Sequence, residues 1–477
     1  MKITLTAIAA AVGAVLMSTA PAPALAADDI AALKAEFKRL AERIGTLERQ
    51  NQEMEKALAT ERLSEHEPEI VTRLKAVEFQ TLSMQKQARQ IESLEGITVG
   101  ASLTGVMQQV GAGGTASGID ETRANYRGDI SVTLPGGEMG NAEGKIFAHF
   151  RLGQGAGIGL RPTYTSTTNT TAFQTNAGPD DSFGILAQAW YQLKVPLMDD
   201  GVKANAREHL HLTFGKIDPF VFFDQNVAAD DETAKFMNNA FVHNPLLDSG
   251  GDTGADAYGF APGAIVKYAN ERQKGAEWGL SLGVFGAGPG ANFSGSLTGP
   301  FVIAQAETAA RFNYLPGNYR AYLWRNGHGA DYDGIERRHS GIGLSADQKA
   351  ADDLTLFGRY GHQLSGKVRF DRALTLGAEI AGNAWGRAAD GFGVALGSLR
   401  TSADFRKDAP TLDADADGAP DFGYQAGGTE KQIEIYYRYK LNSKVELTPD
   451  FQWIRQPGGD VGAPTIKVFG LRAKVGF

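Results

Sequence analysis

The sequence predicts an all-β transmembrane barrel of about 16 antiparallel strands preceded by an α-helical coiled coil, and three observations predict it. First, the closing segment "IKVFGLRAKVGF" alternates: Phe469, Leu471, Ala473, Val475 and Phe477 are apolar, whereas Gly470, Arg472, Lys474 and Gly476 are small or charged. Side chains alternate faces along a strand, so one face is oily and the other polar, as in a strand set between lipid and a wet lumen. Second, the chain of 477 residues holds 59 Gly, no Cys and 42% hydrophobic residues, a composition for an exported protein that stands without disulfides. Third, the beginning of the chain reads as an export signal, whereas no later run reaches the roughly 20 apolar residues that a membrane helix needs.

The elements follow in order. Residues 1–26 carry Lys2, an apolar run from Ile3 to Met17 and the small-residue ending "APALA", the three parts of a cleavable secretory signal. Its removal takes one Lys from a net charge of −8 and leaves −9. An acidic balance argues against a nucleic-acid partner, which calls for a basic patch.

Residues 27–67 carry a heptad. Ile30, Phe37, Ile44, Asn51 and Leu58 fall at a, and Leu33, Leu40, Leu47 and Met54 at d. So narrow a stripe suits self-association better than packing of a single globular helix. Asn51 fits a register-fixing polar residue, and Arg43 can meet Glu48 of a parallel neighbour. Pro68 interrupts the run, and residues 68–96 read as a helical linker or a plug.

From "ITVGASLTGVM" onward the period changes to two, so residues 97–477 are assigned to the barrel. In "KQIEIYYRYKL", Ile433, Ile435, Tyr437 and Tyr439 oppose Glu434, Tyr436, Arg438 and Lys440. In "KVELTPDFQW", Val445, Leu447, Phe451 and Trp453 oppose Glu446, Thr448, Asp450 and Gln452. In "LAQAWYQLKVPL", Ala187, Ala189, Tyr191, Leu193 and Val195 oppose Gln188, Trp190, Gln192 and Lys194. Charges kept to one face suit a wet lumen better than a dry core. "LNSK" (441–444) reads as a tight turn; 153–181, 224–260, 326–338 and 403–428 read as long polar loops.

Motifs of catalysis or metal binding fail their context. "GLSLG" around Ser281 has the spacing of a nucleophile elbow but continues as a strand, without the strained strand-to-helix turn. His209 and His211 share a strand face with no third ligand, so no metal site is assigned. "DADADG" gives Asp413, Asp415 and Asp417 the first half of a calcium loop, but Tyr424 stands where the closing Glu belongs. No catalytic constellation and no cofactor are expected.

The informative collection is arginine with aromatic residues on the polar strand faces: Arg311, Arg320, Tyr322, Trp324, Arg359 and Arg472. Guanidinium donors suit hydroxyl oxygens and ring faces suit sugar C–H patches. These six are the expected pore-lining residues.

Several segments together resemble a family. They are "GKIDPFVFFDQN" (215–226), "AKFMNNAFVHNPLLD" (234–248), "GNYRAYLWRN" (317–326), "GLSADQKAADDLTLFGRYG" (343–361), "GNAWGRAADGFGVALG" (382–397) and the closing "KVFGLRAKVGF". In that order they resemble the carbohydrate-selective porins of the OprB type. The resemblance implies a 16-stranded outer-membrane barrel for diffusion of sugars, and a terminal Phe read by the barrel-assembly machinery. Two departures stand out: Ala388 and Ala389 follow "WGR" where family members commonly carry Pro and Asp, and the coiled coil is an addition. The expected partners are outer-membrane lipids, small sugars, two further copies in a homotrimer, and a periplasmic or cell-wall partner for the coil. Two alternatives stand beside sugar transport: a porin for siderophores or other small metabolites, and a structural anchor whose coil spans the periplasm.

Overall fold

In the computed structural model the described residues are 96–172, 182–197, 203–248, 258–287 and 297–477, with Gly45, Thr46, Arg49 and Thr253 besides. The chain divides into two units, Met1–Glu95 and Gly96–Phe477. Of the first, Gly45, Thr46 and Arg49 are helical, and Arg49 Nε donates to the carbonyl of Gly45 at 3.2 Å. The signal peptide, most of the heptads and residues 68–95 lie outside the described residues.

The second unit is a closed barrel in which every strand pairs with its neighbours in sequence. Its first half comprises β1 (Thr98–Val110), β2 (Glu121–Met139), β3 (Ala142–Gln154), β4 (Phe183–Leu197), β5 (Glu208–Ile217), β6 (Ala261–Asn270), β7 (Trp278–Phe285) and β8 (Phe301–Phe312). The second half comprises β9 (Leu315–Ala330), β10 (Glu336–Lys349), β11 (Leu354–Ser365), β12 (Phe370–Ala381), β13 (Gly391–Thr401), β14 (Thr429–Lys440), β15 (Val445–Arg455) and β16 (Ile466–Gly476). β16 returns antiparallel to β1, with Val110 facing Val468 and Ser102 facing Gly476. The terminal Phe477 donates its amide to the carbonyl of Ala101 at 2.9 Å. No sheet edge is left, which is how a strand protein satisfies its backbone in hydrocarbon.

The alternation runs out to lipid and in to the lumen as the strand phases require. Leu103, Met107, Phe214, Leu280, Leu282, Leu323, Leu356, Leu376, Leu396, Phe469 and Leu471 are exposed on the outside. Gln188, Trp190, Glu434, Tyr436, Asp450 and Gln452 are buried on the inside. On β4 the phase breaks once, at the register shift where His149 pairs with Gln188 and Phe150 with Leu186, and the extra residue Ala187, expected on the oily outer face, is fully buried instead. "GLSLG" is continuous with β7, and Ser281 sits inside the barrel on a regular strand.

The two rims differ. Connections after even-numbered strands are short, down to Asn313–Tyr314 between β8 and β9, where both residues take positive φ (49° and 66°). Connections after β3, β5, β7 and β13 are long. In an outer-membrane barrel the short turns face the periplasm and the long loops the outside. The expected long loop 326–338 is absent: β9 runs to Ala330 and β10 starts at Glu336, leaving five residues. Its glycines and aspartates suggested a loop, yet Arg337 pairs with Gly329 and Glu336 with Ala330, extending both strands.

Candidate functional site

The described part of the loop between β5 and β6, residues 218–248 above all, folds inward. Asp218 starts the turn by accepting from the amide of Phe220 at 2.9 Å, with Pro219 opening a short 3-10 turn. Asp224 then takes a left-handed conformation (φ 56°) that L-residues seldom adopt, and it is fully buried. Its carboxylate accepts from Tyr322 Oη on β9 (2.8 Å), the amide of Asn244 (2.6 Å) and Arg359 Nε on β11 (3.2 Å). Arg359 also donates to the carbonyls of Asp224, Ala229 and Phe241 and to Asp230 Oδ1 at 2.6 Å. Every guanidinium nitrogen is therefore used. Farther along, Glu434 accepts from the amides of Met237 and Asn238, and Arg472 Nη1 donates to the carbonyls of Glu232 and Lys235. The loop is thus fastened to β8–β11 through Gln305, Tyr322, Ser345 and Arg359 and to β14–β16 through Glu434, Gln452 and Arg472, and opposite the β2–β4 wall it leaves a gap bridged at Gln188 and Arg127.

The loop after β3 laps onto it. Thr170 donates from its amide and its hydroxyl to the carbonyl of Met237, and Gln108 and Gln452 side chains both donate to the carbonyl of Thr168.

Between the inward loop and the wall lies a cavity of about 880 Å³, lined by Arg127, Asp129, Phe147, His149, Arg151 and Gln188 on the wall and by Asp218, Phe220, Asp230, Asp231, Glu232 and His243 on the loop. Its wall is rich in cations and its loop face in carboxylates. Arg127 Nη2 crosses to Glu232 Oε1 at 2.9 Å, and Arg151 Nη2 lies 3.9 Å from the same oxygen. Asp129 holds the wall side together, with Arg127 Nε at 2.9 Å, His149 Nε2 at 2.9 Å and Arg151 Nε at 3.0 Å. Ring faces adjoin these charges: Phe220 stacks on His243 with centroids 3.8 Å apart, and Arg151 lies 5.3 Å over Phe260. Burial by itself would lower the His243 pKa. The hydrogen bond to Asp248, helped by Asp218 and Asp230, overrides it and holds the imidazole up to about 9, so it is a cation at neutral pH.

The six residues singled out in the sequence part into three groups. Arg320 lines the cavity and pairs with Asp347 at 3.2 Å. Tyr322, Trp324, Arg359 and Arg472 point inward but are buried beneath the loop, where Tyr322, Arg359 and Arg472 hold it. Arg311 is exposed at the end of β8, beside the Asn313–Tyr314 turn. Sequence reasoning passed over Arg127, Asp129, His149, Arg151 and Glu232. The first four alternate within "YRGDIS" and "AHFRLG", one charge or imidazole at every second position on two consecutive strands, a signal as regular as those used elsewhere. Among the acidic loop residues, Asp413 and Asp415 gather with Asp421 rather than Asp417, carboxylate oxygens within 4.8 Å of one another.

The sequence profile of the carbohydrate-selective porin, OprB family, matches residues 69–477. Among solved structures, OprB of Pseudomonas putida is similar over 82% of this chain and 96% of its own, at 16% identity and a TM-score of 0.62. The outer membrane channel DcaP of Acinetobacter baumannii is similar over 80% of this chain and 97% of its own, at 11% identity and a TM-score of 0.46. No curated protein sequence matches the chain.

Proposed function

Because the chain belongs to the OprB family of carbohydrate-selective porins, and is on that ground an outer-membrane porin for carbohydrates and not an enzyme, we propose that the 880 Å³ cavity is where its solutes are selected. The observation that carries this reading is the convergence, around one cavity, of paired arginines and carboxylates with the half-buried rings of Phe147 and Phe220. Fixed donors and acceptors replace water around hydroxyl groups, while rings cover C–H faces. Small neutral or anionic hydroxylated solutes fit this lining; amino acids and plain dicarboxylates lack the hydroxyls it would satisfy. In proteoliposome swelling, monosaccharides should enter faster than amino acids or dicarboxylates of equal size. Entry ordered by size alone would refute sugar selection, and no entry at all would favour the structural-anchor alternative.

The assembly we propose is a homotrimer whose residues 27–67 form a parallel coiled coil in the periplasm. The heptad and the two periplasmic ends of an even-stranded barrel support it. Deleting residues 28–60 should leave a heat-modifiable barrel that dissociates more readily in detergent. Native mass spectrometry showing monomers with and without the segment would refute the trimer and leave the helix as a tether to a periplasmic or cell-wall partner.

A further inference from the structure

We propose that the short-turn end of the lumen holds a second site, which takes the anionic group of an acidic sugar after the constriction. The proposal rests on the porin reading above. A separate cavity of about 530 Å³ lies there, lined by Lys194, Lys203, Arg207 and His209 with Glu143 and Glu271. It shares no residue with the constriction.

Two features make it more than a charged rim. The carboxylates do not saturate it: Glu143 is taken up by Lys203 Nζ at 2.7 Å, and the half-exposed Glu271 stays 3.8 Å from His209 Nδ1, beyond a hydrogen bond. Two of the basic side chains, His209 and Lys194, have capacity left. His209 is only 7% exposed and its Nδ1 has no hydrogen-bond partner among the described residues. A buried polar atom left unpaired costs free energy, and an incoming anion with an attached hydroxyl would repay that cost. Lys194 forms no hydrogen bond or ion pair among the described residues. Across the ladder it faces His211, which faces Lys267 on β6, so three basic residues stand side by side on β4–β6.

A path joins the two cavities. On β3 the inward positions run Arg151, His149, Phe147, Lys145, Glu143, from the constriction to the lower cavity. Lys145 Nζ lies 5.1 Å over the Trp190 ring, which stacks on Phe147 at 4.8 Å. A sugar ring sliding along this face meets aromatic carbon flanked by cations, and its carboxylate or phosphate meets Lys194 at the end. The chemistry is that of a hydroxylated anion, with a carboxylate and a phosphate as its two sources.

The test is current block of the full-length protein in planar bilayers, with gluconate, glucose 6-phosphate or glucose added to one side at a time. Both anions should block from the short-turn side at concentrations about tenfold below glucose, the scale of one charge-assisted hydrogen bond. Lys194→Gln should raise the blocking concentration of the anions by a similar factor and leave glucose unchanged, while Lys194→Arg should retain it. Block by gluconate alone would assign the site to carboxylates, block by the phosphate alone to phosphoryl groups. Equal block by glucose and both anions in the unsubstituted channel, which needs no variant to fold, would overturn the proposal, as would an unchanged anion affinity in Lys194→Gln. A channel that passes no sugar at all would instead overturn the porin reading.

Discussion

Arg359→Ala is expected to give a barrel that still inserts and runs as a heat-modifiable band but conducts markedly more current, with unstable levels and no sugar block. Arg359 is buried and joins Asp224, Ala229, Asp230 and Phe241 to β11. Removing one partner of a buried ion pair costs about 3–5 kcal/mol, because the other charge remains buried and unpaired. That shifts the balance between docked and undocked loop by roughly a hundred- to a few-thousand-fold. The strand ladders are untouched, so the loss falls on the constriction and not on the wall. Single-channel recording checks it directly: conductance and glucose block equal to those of the unsubstituted channel would show that the remaining bonds to Glu434 and Arg472 suffice.

Glu232→Gln should act on the passage without releasing the loop. The carbonyl of Glu232, not its carboxylate, is what Arg472 holds, whereas the carboxylate spans the cavity to Arg127 and Arg151. Neutralising it removes one of the carboxylates that Arg127 and Arg151 share, Asp129 being the other, so the passage gains positive field. Reversal potentials in a salt gradient should move toward anion preference, conductance should rise, and glucose block should weaken by about tenfold if the charged hydrogen bond orders the ligand's donors. Arg127→Gln should shift the potential the opposite way. A common direction for the two variants, or no shift in either, would place the narrowest point elsewhere.

The barrel was legible because its two solvents write a period of two into each strand. β4, β14, β15 and β16 could be phased from "LAQAWYQLKVPL", "KQIEIYYRYKL", "KVELTPDFQW" and the final segment. Phase tells which way a side chain points and says nothing of what lies in front of it. Arg359 and Arg472 do point inward, but a loop more than a hundred residues earlier in the chain covers them, and that path is decided by contacts no local pattern encodes. Height is invisible for the same reason: Arg311 shares the inward face with Gln305 and Glu307 yet stands at the rim. Arg127, Asp129, His149 and Arg151 carry the same alternation, which does not distinguish a charge that faces an open cavity from one that a loop covers. The loop assigned to 326–338 fails differently, since glycine and aspartate are common in turns but do not stop a ladder whose partners are in register.

The fastening of the inward loop also couples narrowing to completeness. Its bonds reach Tyr322, Arg359, Glu434 and Arg472 across 98, 135, 197 and 240 positions of sequence. Those partners sit on β9, β11, β14 and β16, and the last of them belongs to the strand that seals the cylinder against β1. A partly threaded sheet cannot satisfy this loop, and each missing strand strands a buried carboxylate or carbonyl at a cost of about 1–3 kcal/mol. The filter therefore cannot precede the cylinder: the chain has no favourable intermediate that is filtered but unsealed.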